Sequence, residues 1–501
     1  MCSQMVSDLE LFIQPSALSL LTRVNHFLTE QGIKSYLIGG LVRDRLLGRD
    51  TADIDIAVSA DALEVAPRVA NAFGGKYVLL DEVNGIGRVI LSDEGAKWEL
   101  DFSTLQGSLE QDLARRDFTI DAMGIDLETA IQSPVLIDPF GGQNDLRQGI
   151  IRAVAETAFP SDPVRLLRAV RLAAELGFRI ESQTETLIQR YSHLIAGVAG
   201  ERVREELLRL LAMSRSGQLL AYLDELGLLT AIFPELVPTK GAEQPKEHFW
   251  DVFEHSIKTV AAVDFLLRQG DWEYAGEEVL AAVPWSAELK QHFDREVSHG
   301  STRKSLLKLA ALLHDLAKPQ TKTIEESGRI RFLGHAKEGA TIATDILERL
   351  RFSTKEIKLV EVMVRYHLRP TQMSHEELPS RRAIYRYFRD AGEAGIDILF
   401  LSLADHLASR GQYLDLAQWQ EHAQLVAYVL AQHFEAESLT VPAKLIDGHD
   451  LMDKFGLSPG PKVGEILEAV RETQAAGEVT TQEEAFAYIE HLLASSSSKN
   501  K

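Results

Sequence analysis

Apolar and polar positions follow two different rhythms along this chain. Up to about residue 157, short apolar runs are cut by glycine turns, which predicts strands mixed with helices. Tyr36-Leu37-Ile38 reads as a strand ending in the Gly39-Gly40 turn, followed by an amphipathic stretch from Leu41 to Leu47. Residues 53–58, Asp-Ile-Asp-Ile-Ala-Val, alternate and predict a second strand; 61–73 predicts a helix. Further strands are expected at Tyr77–Leu80, Gly87–Leu91 and Trp98–Phe102, with Asp117–Met123 leading into Gly124–Leu127 and Leu136-Ile137 before the turn Asp138-Pro139-Phe140-Gly141-Gly142. From about residue 160 strand patterns stop. Asp162–Leu176, Glu201–Met213 and Gly217–Leu226 repeat apolar residues at helical spacing, with Pro163 placed for a helix start. The pattern stays helical after 245, apart from a hairpin-like stretch over 320–334, and ends in a helical module over 440–494.

Composition narrows the class. A 501-residue chain with 45% hydrophobic and 25% charged residues can bury several cores. With 53 Lys and Arg against 74 Asp and Glu, the net charge is −21, so polyanion binding requires a local basic surface. Residues 152–215 supply one: ten Arg, no Lys and eight Asp or Glu. The single cysteine, Cys2, excludes a disulfide framework and a thiolate metal cage and fits a reducing cytoplasm. No basic and apolar leader opens the chain, and no apolar run approaches the ~18 residues of a membrane span, so no membrane partner is expected.

Asp53 and Asp55, two apart on a strand, leave the same face while Ile54 and Ile56 turn to the core. Two carboxylates so close repel unless a cation lies between them, and Mg²⁺ prefers oxygen ligands. Such a pair can serve phosphoryl displacement. Asp101 on the neighbouring strand is the candidate third carboxylate, with Glu99 on the same face as runner-up. Alone, Asp-x-Asp also describes a polar strand edge. The preceding Gly39-Gly40 strengthens the site, because glycine amides at a helix start cradle phosphates.

A second cluster, Asp112-Leu113-Ala114-Arg115-Arg116-Asp117-Phe118-Thr119-Ile120-Asp121, suits guanidinium forks on a polyphosphate, or a surface salt-bridge run. The third, Ser161-Asp162-Pro163-Val164-Arg165-Leu166-Leu167-Arg168, brings Arg165, Arg168 and Arg171 onto one helix face. Asp162 as acceptor and Arg165 as donor could read a base edge.

Taken in order, Leu37-Ile38-Gly39-Gly40-Leu41-Val42-Arg43-Asp44, Asp53-Ile54-Asp55, Arg115-Arg116-Asp117-Phe118-Thr119 and Asp162-Pro163-Val164-Arg165-Leu166-Leu167-Arg168-Ala169 resemble the motifs of the class II tRNA nucleotidyltransferase and poly(A) polymerase family. Asp138-Pro139-Phe140-Gly141-Gly142 and Glu201-Arg202-Val203-Arg204-Glu205-Glu206 resemble its two helper motifs. The likeness is dense over about 30–235. It implies a five-stranded nucleotidyltransferase head and a helical neck that selects CTP or ATP without a nucleic-acid template. By position it implies Asp53 and Asp55 as metal ligands, and Gly39, Gly40 and Arg43 at the triphosphate. It further implies Arg115, Arg116 and Asp117 at ribose and phosphates, and Asp162 and Arg165 at the base with Arg168 nearby. Two positions depart: Ser161 stands where the family has Glu, and Asp121 where Asn is common.

Further along, His255, His314-Asp315 and Asp405 form a His…His-Asp…Asp series, with His335 and His367 as additional candidates. Imidazoles mixed with carboxylates suit a divalent transition metal. The dyad lies in Leu-Ala-Ala-Leu-Leu-His-Asp-Leu-Ala-Lys-Pro, so it is expected inside a buried helix, where an unliganded charge is costly. Lys318 is placed to meet a phosphate. The series resembles the HD phosphohydrolase domain, which implies phosphatase or phosphodiesterase chemistry on phosphate ends or 2′,3′-cyclic phosphates. Pro459-Gly460-Pro461-Lys462-Val463-Gly464 opens a helical run whose amides could touch an RNA phosphate.

The expected fold class is therefore α+β. A mixed-sheet head spans 1–157, an all-α neck binding base and RNA spans 158–240, and an HD domain spans 245–412. A C-terminal helical RNA-contact module covers 413–494 and a disordered tail 495–501. The expected activity is template-independent addition of CCA, or its terminal nucleotides, to the tRNA 3′ end from CTP and ATP in the cytoplasm. Mg²⁺ is expected in the head and a transition metal in the HD site. The alternatives are a poly(A) or A-adding polymerase, which shares the head motifs, and a nucleotidyltransferase–HD regulator that modifies a protein.

Overall fold

A computed structural model describes residues 15–498, apart from 52, 83, 94–95, 133, 246–247, 374–377 and 439–444. Cys2 and the last three residues lie outside the described residues. The chain forms two compact units, Met1–Val198 with Leu223–Ile232, and Ala199–Tyr222 with Phe233–Lys501. The neck expected as one 158–240 segment is thus shared between them.

The first unit is built on a mixed sheet of β1 (Ser35–Ile38), β2 (Asp53–Val58), β3 (Lys76–Asp81), β4 (Ile86–Asp93), β5 (Ala96–Thr104), β6 (Gly124–Asp126) and β7 (Leu136–Ile137). It has seven strands rather than five, ordered β3-β4-β5-β2-β1-β6-β7. Only β2 and β5 pair in parallel within it; the helix Ala62–Phe73 and the β3–β4 hairpin make the crossover. Val65, Ala66, Val69 and Ala70 of that helix bury one stripe on the sheet, while Ile54, Ile56 and Val58 fill the inner face of β2.

The helix expected from Asp162 starts at Arg165. Asp162 is extended (φ −153°, ψ 94°), because the ring of Pro163 disfavours the helical region in the residue before it. Strand pairing also continues past residue 160, since Ile150–Ile151 pairs in parallel with Arg179–Ile180. A two-residue pairing is too short to leave a periodicity.

The second unit packs the helices Val252–Leu266, Arg303–Leu313, His335–Arg349, Thr354–Tyr366 and Gly395–Arg410 around one another. Arg303–Leu313 is buried all round. Its Lys308 reaches Asp264 at 2.8 Å and donates to the carbonyls of Leu211 and Met213, satisfying the end of the Gly200–Ala212 helix. The expected hairpin forms from Lys322–Ile324 and Ile330–Phe332.

The C-terminal helices Gly448–Phe455, Pro461–Ala475 and Gln482–Ser498 share a small core of Leu451, Val463, Ile466, Val470 and Ile489. Charge docks this module onto the Arg381–Ala391 helix: Arg386 and Arg389 meet Glu472, and Arg382 meets Glu478. The last helix runs to Ser498 instead of ending at 494, so most of the tail expected to be disordered is helical.

Candidate functional site

In the first unit, the turn between β1 and the helix Gly40–Leu46 meets the polar face of β2. Gly39 has φ +68°, and a Cβ there would come within 2.7 Å of an Arg116 terminal nitrogen and 3.2 Å of Asp55 Oδ2. Glycine is required for both the backbone and the space. The absent side chain leaves a cradle beside Asp55 and Arg116.

Asp53 is exposed at the head of β2 and Asp55 lies half-buried two residues on. Parallel register sets Asp53 opposite Glu99 and Asp55 opposite Asp101, so four carboxylates share one face. Arg88 on β4 answers the β5 pair. Its Nε and one terminal nitrogen grip both Asp101 oxygens at 2.7 and 2.8 Å, and its other terminal nitrogen bonds Glu99. Asp101 is next to Asp55 as expected, but its oxygens are held by this guanidinium. Burial raises the Asp55 carboxyl to about 6, against the pull of Arg116 and with a push from Asp101.

Arg43 donates to both oxygens of Asp44 at 2.9 Å and to Asp121 at 2.7 Å. Arg168 meets Asp117 at 2.9 Å and approaches Asp121 at 3.9 Å. Burial works to raise the Asp117 carboxyl, yet Arg168 and Arg165 hold it below its ordinary value; burial keeps Asp121 raised. Arg165 lies 3.8 Å from Asp162 and donates to Ser161 Oγ at 3.4 Å and to the Ala158 carbonyl. Ser161 therefore does contact the arginine, through a long hydrogen bond to a neutral acceptor. Arg115 is solvent-exposed. Sequence reasoning missed Arg88 and the role of Asp121 as a buried link between Arg43 and Arg168. The Asp117–Asp121 spacing was visible; the cross-strand partner of Asp101 was not.

In the second unit, His255, His314 and Asp315 form one buried ligand group, and Asp315, His335 and His367 another. Asp405 joins the first, 3.1 Å from His255 Nε2. The dyad does not sit inside a helix. His314 caps the C-terminus of Arg303–Leu313 and Asp315 begins the following turn; His367 likewise caps Thr354–Tyr366. The reason is local. Helix ends leave carbonyls without partners, and Nδ1 of His314 lies 2.8 Å from the Ala311 carbonyl, Nδ1 of His367 2.7 Å from that of Val364. His335 Nδ1 meets the Phe332 carbonyl at 2.7 Å. A carbonyl only accepts, so Nδ1 carries the proton and Nε2 presents a lone pair inward.

The Nε2 atoms face each other, 3.3 Å apart in His255–His314 and in His335–His367. Burial lowers His255 and His335, and takes His367 down to about 3. Burial would also lower His314, but Asp315 raises it overall. Despite burial, Asp315 and Asp405 are held well below the usual carboxylate range by the imidazoles, with Lys318 adding to the effect at Asp315. Opposed imidazole acceptors around ionised carboxylates fit a divalent cation. Lys318 Nζ lies 2.6 Å from Asp315.

Three family models match: the poly A polymerase head domain over 35–152, the probable RNA and SrmB-binding site of polymerase A over 177–239, and the HD domain over 252–410. An A-adding tRNA nucleotidyltransferase of Deinococcus radiodurans is 34% identical over 91% of this chain and 94% of its own. A CC-adding tRNA nucleotidyltransferase of Thermus thermophilus is 33% identical over 91% and 93%. A CCA-adding enzyme of Geobacillus stearothermophilus is 35% identical over 40% of this chain and 51% of its own. Among solved structures, the fold resembles a CCA-adding enzyme in complex with CTP (TM-score 0.64, 24% identity, 97% of each chain). It also resembles the Thermotoga maritima CCA-adding enzyme with tRNA (TM-score 0.60, 24% identity, 97% of each chain).

Proposed function

The chain belongs to the tRNA nucleotidyltransferase family, and from that membership we propose that it adds nucleotides of the CCA sequence to the 3′ end of tRNA, using CTP and ATP. The observation that carries the reading is the convergence of Asp55, Gly39 and Arg116 within one cradle, with Asp53 on the same strand face. Asp53 and Asp55 would hold Mg²⁺, which supplies charge neutralisation at the reacting phosphate. The RNA 3′-hydroxyl attacks the α-phosphorus and pyrophosphate leaves.

This chain's residues orient that exchange. The Gly39-Gly40 turn and Arg116 receive the phosphates, and Arg43, bound by Asp44 and Asp121, braces the turn. Arg115 and Asp117 serve ribose and phosphate, while Arg168 ties Asp117 to the neck. Asp162 and Arg165 read the base. With both oxygens on Arg88, Asp101 shapes the carboxylate face, and Asp53 with Asp55 forms the metal pair.

Relatives alike over nine-tenths of the chain are named A-adding and CC-adding, whereas the CCA-adding relative named above matches over two-fifths. That favours addition of CC or of A alone as the second reading. Among the described residues no helix is long and apolar enough to cross a membrane, in keeping with a cytoplasmic enzyme. The HD domain within the second unit adds a phosphohydrolase activity to this reading: His255, His314, Asp315 and Asp405, with His335 and His367, would hold a divalent transition metal, which supplies an activated water. Labelled CTP and ATP offered to tRNA with Mg²⁺ test the main reading. Incorporation by wild type and none by Asp53→Ala is expected; no incorporation by wild type overturns it.

A further inference from the structure

Arg115, Arg116, Asp117 and Asp121 ride on a loop that closes in a single 3₁₀ turn, Thr119–Asp121. One turn is costly to fix and gains few bonds of its own, so whatever holds it decides where those side chains stand. Thr119 lies midway between Asp117, which meets Arg168 at 2.9 Å, and Asp121, which accepts from Arg43 at 2.7 Å.

Thr119 is held twice. Its amide donates to the Arg152 carbonyl at 2.9 Å, and the Val154 amide donates to the Asp117 carbonyl at 3.0 Å, which sets Phe118 opposite Ala153 in one antiparallel bridge. Its Oγ1 donates to Asp145 Oδ2 at 2.7 Å, and Arg152 Nε donates to the same oxygen at 3.0 Å. Thr119, Asp145 and Arg152 thus close a ring: Arg152 takes the Thr119 amide with its carbonyl and the Asp145 carboxylate with its guanidinium. The other Asp145 oxygen accepts from Arg152 at 3.3 Å, so the carboxylate is committed to this ring. Thr119 is 2% and Asp145 3% exposed, so their bond is made away from water, where it is strong and costly to lose. Arg152 is anchored in turn by Glu181 at 2.8 Å.

The Asp138-Pro139-Phe140-Gly141-Gly142 turn serves the same contact. Asp138 accepts from the amides of Gly142 and Gln143 at 2.7 and 2.9 Å, at the start of the Gly142–Gln148 helix that carries Asp145. Gly142 is buried, and a Cβ on it would run into the Thr119 carbonyl. The bare backbone lets that helix come close enough for Asp145 to reach Thr119.

Resting on the nucleotide-addition reading above, we propose that Thr119, Asp145 and Arg152 form a positioning ring that sets Arg116, Asp117 and Asp121 for the incoming nucleoside triphosphate. The ring acts through the loop. Asp117 and Asp121 flank Thr119 two residues to either side, so a loop released at Thr119 disturbs the Asp117–Arg168 and Asp121–Arg43 pairs together. The ring therefore governs affinity for the nucleotide and not for tRNA.

The test measures binding of labelled CTP and ATP with Mg²⁺ by equilibrium dialysis, and KM for nucleotide and for tRNA in the addition assay. Thr119→Val removes the hydroxyl at nearly constant volume; Thr119→Ser keeps it. Thr119→Val should weaken binding of both nucleotides roughly ten-fold, the lower end of what a hydrogen bond to a charged group is worth. It should raise their KM alike and leave KM for tRNA unmoved, while Thr119→Ser stays near wild type. Asp145→Asn keeps the shape but gives up the charge opposite Arg152, and should act in the same direction. The Thr119→Val, Asp145→Asn double variant should bind no more weakly than the weaker single variant, because one ring is broken once. A role in stability alone would lower the Tm of Thr119→Val without moving the nucleotide affinity of the folded protein. Wild-type nucleotide binding by folded Thr119→Val overturns the ring, and so does a Thr119→Ser variant weakened as much as Thr119→Val. Wild-type protein that binds the nucleotides but extends no tRNA, with binding still weakened in Thr119→Val, overturns nucleotide addition and leaves the ring standing.

Discussion

Asp55 sits directly opposite Asp101 in the parallel pairing of β2 with β5, and the two carboxylates meet different fates. Asp101 gives both oxygens to Arg88, while burial raises Asp55 to about 6. The folded chain thus holds this proton more tightly than the unfolded chain, whose carboxyl ionises near 3.8. Stability lost to the ionised group is complete above pH 6 and recovered as pH falls towards 4. Metal-free Asp55→Asn should therefore melt higher than wild type at pH 8, by up to about 3 kcal/mol, with the gap closing by pH 4. Mg²⁺ should raise the wild-type Tm more than that of the variant, and the variant should not add nucleotides. Thermal melts across pH, with and without Mg²⁺, check both statements.

Arg88 holds Glu99 and Asp101 together, so removing it leaves like charges uncompensated on one face. Arg88→Ala should cost about 1–3 kcal/mol in urea unfolding. Asp101→Ala in the same chain should cost less than the sum of the two single changes, because the ion pair is counted once. Strict additivity would show that the pair contributes nothing.

Arg165 is held by Ser161, the Ala158 carbonyl and Asp162 at the start of its helix. Losing one charge-assisted hydrogen bond to a base costs about 1.5–3 kcal/mol, or roughly 10- to 150-fold in selectivity. Arg165→Ala should shift the CTP-to-ATP incorporation ratio by that factor and lower the rate with the preferred nucleotide. An unchanged ratio removes Arg165 from base choice.

Much of this was legible in the sequence. The period of two in Asp53-Ile54-Asp55-Ile56 gave away both the strand and its acidic face, and Gly39-Gly40 marked a turn that the φ of Gly39 requires. Register across strands was not legible: Arg88 faces Asp101 only because β4 pairs with β5 at one particular offset. The setting of His314-Asp315 was misread because apolar residues continue through Leu316 and Ala317, hiding the end of the helix. The end is marked by the His314 ring turning back to a terminal carbonyl, which no periodicity records. The apolar face of Ile150–Ile151 and its two-residue partner was likewise too short to register.

The two chemistries should separate by mutation. Nδ1 of His314 is engaged by the Ala311 carbonyl, so its Nε2 has no other task than the ligand group. His314→Ala with Asp315→Ala should abolish metal-dependent hydrolysis of 2′,3′-cyclic phosphates and leave nucleotide addition within a few-fold of wild type, once circular dichroism has shown the variant folded. A folded variant that hydrolyses at the wild-type rate would remove these residues from the site.

Nucleotide addition to tRNA can be read out one nucleotide at a time. Transcripts ending at the discriminator base, after one C, and after CC are incubated with Mg²⁺ and CTP, ATP or both, and products are resolved to single nucleotides. Wild type should extend at least one transcript by the next nucleotides of CCA, stopping at or before the terminal A, and Asp53→Ala should extend none. Failure to extend any of the three, or long adenosine tails on RNA without tRNA structure, would contradict it.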